Sequence, residues 1–233
     1  EDQVYSPEDA KQLAAWNPYD QSAPASSFFD PEWMFGVKDG FDIVIGNPPY
    51  LRIQGIRNDN PQFADYLVDN YKTATGKFDL YVAFIEKGYR ICRKRGILNF
   101  VMPTKWTNSD YGEGVRTFCL EEKPYMRIIS FSSYQVFNAS TYTGIQWFIK
   151  NEHPVLDYIQ LSCDINTPDK LEVFLRGINN DSYTAYTFTE FSSRPWKLTS
   201  DRMSSDIISK ISVHPQLNTI LNCISQGVVT VGD

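Results

Sequence analysis

Residues 41–50 read Phe41-Asp42-Ile43-Val44-Ile45-Gly46-Asn47-Pro48-Pro49-Tyr50. An apolar run reaches a glycine and breaks into a loop, the pattern of a buried strand that delivers four residues at its carboxyl end. The side-chain oxygen of Asn47 accepts hydrogen bonds, the two prolines fix their own φ and lack an N–H, and Tyr50 sets a flat ring beside them. Such a loop suits a planar amine. An exocyclic NH2 that donates one hydrogen bond to the Asn47 oxygen and another to the Pro48 carbonyl is held by two acceptors. Its nitrogen lone pair is drawn out of conjugation and becomes nucleophilic. The alternative is a Pro-Pro turn after a buried strand, in which the ring only packs.

Outward from that strand, further apolar strand candidates stand at 97–102, 127–131 and 145–150. Helical spacing recurs at about 61–71, 78–95 and 112–121. The alternation of strand and helix predicts an α/β fold with a parallel sheet, and near-continuous apolar strands fit burial on both faces. Residues 1–40 read as an irregular approach, interrupted by Pro7, Pro18, Pro24 and Pro31, with one short helix over 7–15. The triplet Asn17-Pro18-Tyr19 lacks both the second proline and a preceding strand, and reads as a turn. Past Lys150 the rhythm changes: 155–162 suits a strand, 169–176 a short amphipathic piece, and 205–214 and 218–225 two helices. The polar stretch 187–202, with Pro195-Trp196, reads as a linker.

The 233 residues are 42% hydrophobic and 15% aromatic, enough to bury a full core. No apolar stretch approaches the roughly 18 residues of a membrane span, and Glu1-Asp2-Gln3 does not open a signal peptide. The expectation is a protein without a membrane partner, working in a cytoplasm. Cys92, Cys119, Cys163 and Cys223 are widely spaced, and His153 and His214 are the only histidines, so neither a zinc site nor a disulfide framework is suggested. The net charge of −6 argues against a free-standing nucleic-acid binder, since phosphate neutralisation supplies most non-specific affinity. Lys87, Arg90, Arg93, Lys94 and Arg95 gather at the end of the 78–95 helical pattern, with Gly96 as its stop. They either cap the helix dipole or contact phosphate. The start at Glu1, without Met, and the end at Gly232-Asp233 read as those of a piece cut from a longer polypeptide.

The Asn47-Pro48-Pro49-Tyr50 loop resembles the catalytic motif of amino-methyltransferases that use S-adenosylmethionine, in the spelling of the DNA adenine-N6 branch. Three further stretches agree in order and spacing: Phe29-Asp30-Pro31-Glu32-Trp33-Met34-Phe35-Gly36, then 96–106, then Val136-Phe137-Asn138-Ala139-Ser140. Together they resemble the large bacterial methylases that fuse methylation and cleavage in one polypeptide, over about residues 17–150. The resemblance implies a partial Rossmann-like methyltransferase sheet with helices on both faces. It divides the chain into an approach (1–40), the C-terminal half of a catalytic domain (41–150) and a connector toward a DNA-recognition domain (151–233).

It further implies the substrates: S-adenosylmethionine as cofactor, and double-stranded DNA whose adenine is extruded and methylated at N6, in a restriction-modification or related phage-defence enzyme. Asn47, Pro48, Pro49 and Tyr50 would be catalytic, and Tyr50 and Phe137 would sandwich the base, unless Phe137 is plain core. Lys105 and Trp106 would line the pocket or touch DNA, or simply pack. Phe29 and Asp30 would meet the cofactor, or form an Asp-Pro turn. In this motif order the cofactor's glycine-rich turn precedes the amine-holding loop, yet residues 1–40 contain no G-x-G. The chain by itself is therefore expected to be inactive, with the open edge of the 41–46 strand covered by other parts of the same polypeptide or by another copy. Two alternatives use the same residues: methylation of a protein glutamine or an RNA guanine amine, and a non-catalytic segment that docks on DNA or a partner.

Overall fold

The computed structural model describes residues 6–15, 31–137, 142–151 and 153–200, with a few positions from 207 to 215. The short helices α1 (Pro7–Ala15) and α2 (Pro31–Phe35) precede strand β1 (Phe41–Gly46). Gly40 opens β1 at φ +95°, and a Cβ there would stand 2.6 Å from the Ile91 carbonyl oxygen, so this close entry requires glycine. After β1 come α3 (Ile53–Asp59), α4 (Pro61–Asn70), α5 (Tyr81–Ile91) and the long strand β2 (Cys92–Pro103). Then follow α6 (Glu113–Glu122), β3 (Tyr125–Ser130), β4 (Thr143–Ile149), β5 (Val155–Gln160), α7 (Pro168–Gly177) and β6 (Thr184–Thr187).

The six strands form one sheet in the order β1-β2-β4-β3-β5-β6. β1 runs parallel to β2 and β3 parallel to β5. The sheet is not wholly parallel as the sequence led us to expect, because β4 lies antiparallel between β2 and β3 and β6 antiparallel beside β5. A parallel neighbour needs a crossover of a dozen or more residues, usually a helix, and among the described residues β3 returns to β4 without one.

Successive side chains on each strand divide between two cores. Leu98, Phe100 and Met102 of β2, Met126 and Ile128 of β3, Phe148 of β4 and Leu156 of β5 join the core that includes α5 and α6. Val101, Ile129, Ile145, Trp147 and Ile159 face the other way, against Leu171, Phe174 and Leu175 of α7. Helices thus cover both faces, as the α/β reading requires.

Two local expectations give way to pairing. Helix 78–95 ends at Ile91, and Arg93, Lys94 and Arg95 sit in β2 rather than capping a helix. The partners Phe41↔Cys92 and Ile43↔Ile97 show the reason: β1 recruits the chain from Cys92 onward, and the intervening residues bulge out, with Arg95 at φ 63° and Arg93 Nε donating to Asp42 Oδ1 at 2.7 Å. The sheet also continues past Lys150 into β5 and β6, and 187–202 is not a free linker. Trp196 within it is buried, and its ring meets Trp106 edge-on at 5.5 Å. A periodicity search misses that segment because its anchors are isolated aromatics. The helices expected at 205–214 and 218–225 lie largely or wholly outside the described residues.

Candidate active site

β1 delivers Asn47–Tyr50 at its carboxyl end, immediately after the last β1–β2 pair, Gly46↔Phe100. Asn47 and Pro49 are exposed, Pro48 is buried and Tyr50 is half-buried. The Tyr50 hydroxyl stands 2.6 Å from Asn47 Oδ1 and 2.8 Å from the Val101 carbonyl oxygen of β2. Its ring packs edge-on against Tyr81 at 6.3 Å. Burial pushes the Tyr50 hydroxyl up to about 12, so it stays protonated at any working pH. The chain beyond is pinned to the residues that open α5. Leu80 N donates to Leu51 O at 2.7 Å, Ile53 N donates to Phe78 O at 2.9 Å, and Arg52 bridges Asp79 antiparallel.

This pin closes one side of a cavity of about 520 Å3, within the range of small-ligand sites. Tyr50, Tyr111 and Tyr142 give it flat walls, and Arg52, Lys77 and Lys105 give it cations. Asp79 is its carboxylate. Burial raises the Asp79 pKa, against the pull of Arg52 and Lys105 in the other direction. Tyr111 Oη lies 2.9 Å from Tyr81 Oη, which ties the wall to the core. A second groove of about 340 Å3 shares Lys105 and Tyr142 and is otherwise rich in neutral polar groups, among them Asn108, Ser132 and Gln160. Among the described residues no cluster of His, Cys, Asp or Glu suits a metal ion, and no helix is long and apolar enough to cross a membrane.

Of the residues singled out in the sequence, Tyr50 and Lys105 line the cavity together. Trp106 does not. It is fully buried, with Nε1 donating to Gln146 Oε1 at 2.8 Å while Gln146 Nε2 donates to the Met102 carbonyl at 2.9 Å. A 3-10 turn over Lys105–Thr107 swings successive side chains by about a third of a turn, so Lys105 is exposed while Trp106 and Thr107 are buried. Phe137 is 38% exposed and is not among the residues lining the cavity, whereas Tyr142, just before β4, lines both hollows. Phe29 and Asp30 lie outside the described residues. Arg52, Lys77, Tyr111 and Tyr142 were not expected, and Asp79, which the resemblance sets among acidic positions after the amine-holding loop, had no assigned role. The Arg52–Asp79 bridge joins distant positions and has no local sequence signature. Tyr142 carried a weak one, as an aromatic at the mouth of a strand.

The model of the Eco57I restriction-modification methylase family matches residues 6–137, more than half of the chain. The chain belongs to that family. Among its relatives, the type II restriction enzyme and methyltransferase RM.Eco57I of Escherichia coli is 34% identical over 122 residues, covering 52% of this chain and 12% of its own length. The type II methyltransferase M.TthHB8I of Thermus thermophilus is 33% identical over 109 residues, covering 40% of this chain and 24% of that protein. The chain therefore spans only a small part of either protein's length. A cryo-EM structure of a DrdV–DNA complex aligns with a TM-score of 0.52 at 16% identity, covering 66% of this chain and 18% of that one, a likeness of fold. The Eco57I family is one of restriction-modification methylases. β1 ends the sheet with Ile43 and Ile45 61% and 76% exposed, and no described strand or glycine-rich turn stands beside it.

Proposed function

We propose that this chain carries the amine-holding half of an adenine-N6 DNA methyltransferase site, within a restriction-modification or related phage-defence polypeptide that uses S-adenosylmethionine. The observation that carries the reading is the Asn47–Tyr50 loop at the carboxyl end of β1, with Tyr50 walling a cavity that also presents three cations. Duplex DNA hides the adenine amine in the base stack, so the base must be extruded at a cost of a few kcal/mol and held between flat surfaces. Its N6 donates to Asn47 Oδ1 and to the Pro48 carbonyl, which favours the pyramidal nitrogen that attacks a methyl group. Positioning of this kind supplies much of a transfer rate. Tyr50 and Phe137 are the proposed rings on the base. Arg52, Lys77 and Lys105 are the proposed phosphate contacts, and they favour a polyanionic substrate over a protein glutamine. Residues 151–233 are proposed to lead toward DNA recognition, and other parts of the polypeptide to complete the cofactor site.

The test is Asn47→Ala in the intact enzyme. Removing one preorganised partner of a developing charge should slow methylation of an adenine-containing duplex by about 10²-fold or more, with cofactor affinity little changed. Transfer persisting near the parent rate would end the amine-holding role of Asn47.

A further inference from the structure

The Tyr50 hydroxyl has one proton and two oxygen atoms within reach, Asn47 Oδ1 at 2.6 Å and the Val101 carbonyl at 2.8 Å. Both oxygens only accept, so with the amide in this orientation one of the two contacts is oxygen against oxygen with no hydrogen between them. The two neighbours are not equivalent. The Val101 carbonyl belongs to the backbone of β2, whereas a half-turn of the Asn47 amide exchanges Oδ1 and Nδ2 in place. With Nδ2 turned toward the tyrosine every group is satisfied: Asn47 Nδ2 donates to Tyr50 Oη, and Tyr50 Oη donates to Val101 O. Burial keeps the hydroxyl protonated and able to donate.

We infer that the Tyr50 hydroxyl is a positioning group, which orients the Asn47 amide by accepting from its nitrogen and so turns Oδ1 outward as the acceptor for the substrate amine. The inference rests on the amine-holding role proposed above and extends it. The amide is handed a fixed orientation by the strand next to β1, through a hydroxyl on the residue whose ring is proposed to meet the base. Without the hydroxyl, either end of the amide presents itself to the amine, and the nitrogen end repels it.

The experiment is a double-mutant cycle in the full-length enzyme, read by single-turnover methylation of an adenine-containing duplex and by 2-aminopurine fluorescence at the target position. Tyr50→Phe keeps the ring and should slow methyl transfer roughly tenfold, the size of one net hydrogen bond, while duplex affinity and fluorescence stay within about twofold of the parent. In an Asn47→Ala background the same substitution should cost no more than about twofold, because a group acting through Asn47 has nothing left to orient. A hydroxyl that merely stabilised the loop would slow both backgrounds equally. Full additivity, or Tyr50→Phe at the parent rate beside a crippled Asn47→Ala, overturns the inference and leaves the amine-holding role standing. An active Asn47→Ala enzyme overturns that role itself.

Discussion

Phe137 and Tyr142 stand on either side of residues 138–141, and both rings are substantially exposed, at 38% and 57%. Only Tyr142 walls the cavity with Tyr50, yet Phe137 holds the place implied by the family resemblance. Stacking on one aromatic is worth roughly 1–3 kcal/mol per base, enough to read in a binding curve. In the intact enzyme, Phe137→Ala should weaken capture of a 2-aminopurine duplex by that amount and alter the fluorescence of the extruded base, with Tyr142→Ala close to the parent. The opposite pattern would move the second wall to Tyr142. The Tyr50 side chain was legible for its flat face but not for its hydroxyl, because the partner of that hydroxyl, Val101, is brought to it only by strand pairing. Lys105 and Trp106 teach the same lesson: a sequence gives two neighbours equal standing, and the turn they enter sends one to solvent and the other beneath Gln146.

At the scale of elements, the strands and most helices were legible because apolar periodicity is local. Helix α1 and strand β1 fall on the expected residues, and α4, α6, β3, β4 and β5 lie within two residues of theirs. Strand direction was not legible, since it depends on which neighbour a strand finds. Neither was the role of 187–202, whose attachment is polar as well as aromatic. The buried Arg116 of α6 donates from Nε to the Ser193 carbonyl at 2.8 Å, and from one terminal nitrogen to the carbonyls of Trp106 and of Ser109, the latter at 2.7 Å. One guanidinium thus joins α6, the turn that carries Lys105, and the segment around Trp196. Arg116→Met should destabilise the chain by about 3 kcal/mol, because buried carbonyls are left without donors. Urea unfolding measures this, and a change below about 0.5 kcal/mol would mean that those carbonyls find other partners.

For the molecule as a whole, the loop proposed to hold the amine sets Tyr50 in the wall of a cavity, while the edge of β1 presents exposed isoleucines. Calorimetric titration of this 233-residue chain with S-adenosylmethionine should therefore show no saturation in the micromolar range, and a micromolar isotherm would mean that these residues build the cofactor site in a way their sequence conceals. The antiparallel placement of β4 also sets a timetable for synthesis. β2 and β3 are not neighbours in the finished sheet; each waits for the later strand that separates them, as the pairs Ile97↔Ile149 and Tyr125↔Ile149 show. Until residue 149 has left the ribosome, one side of β2 is unsealed, and β3 has neither of its neighbours, since β5 is made later still. Long-range pairing of this kind folds slowly and leaves sticky intermediates. A nascent chain that has released β3 but neither β4 nor β5 carries these open edges, and a pause there should raise its capture by chaperones above that of the completed chain.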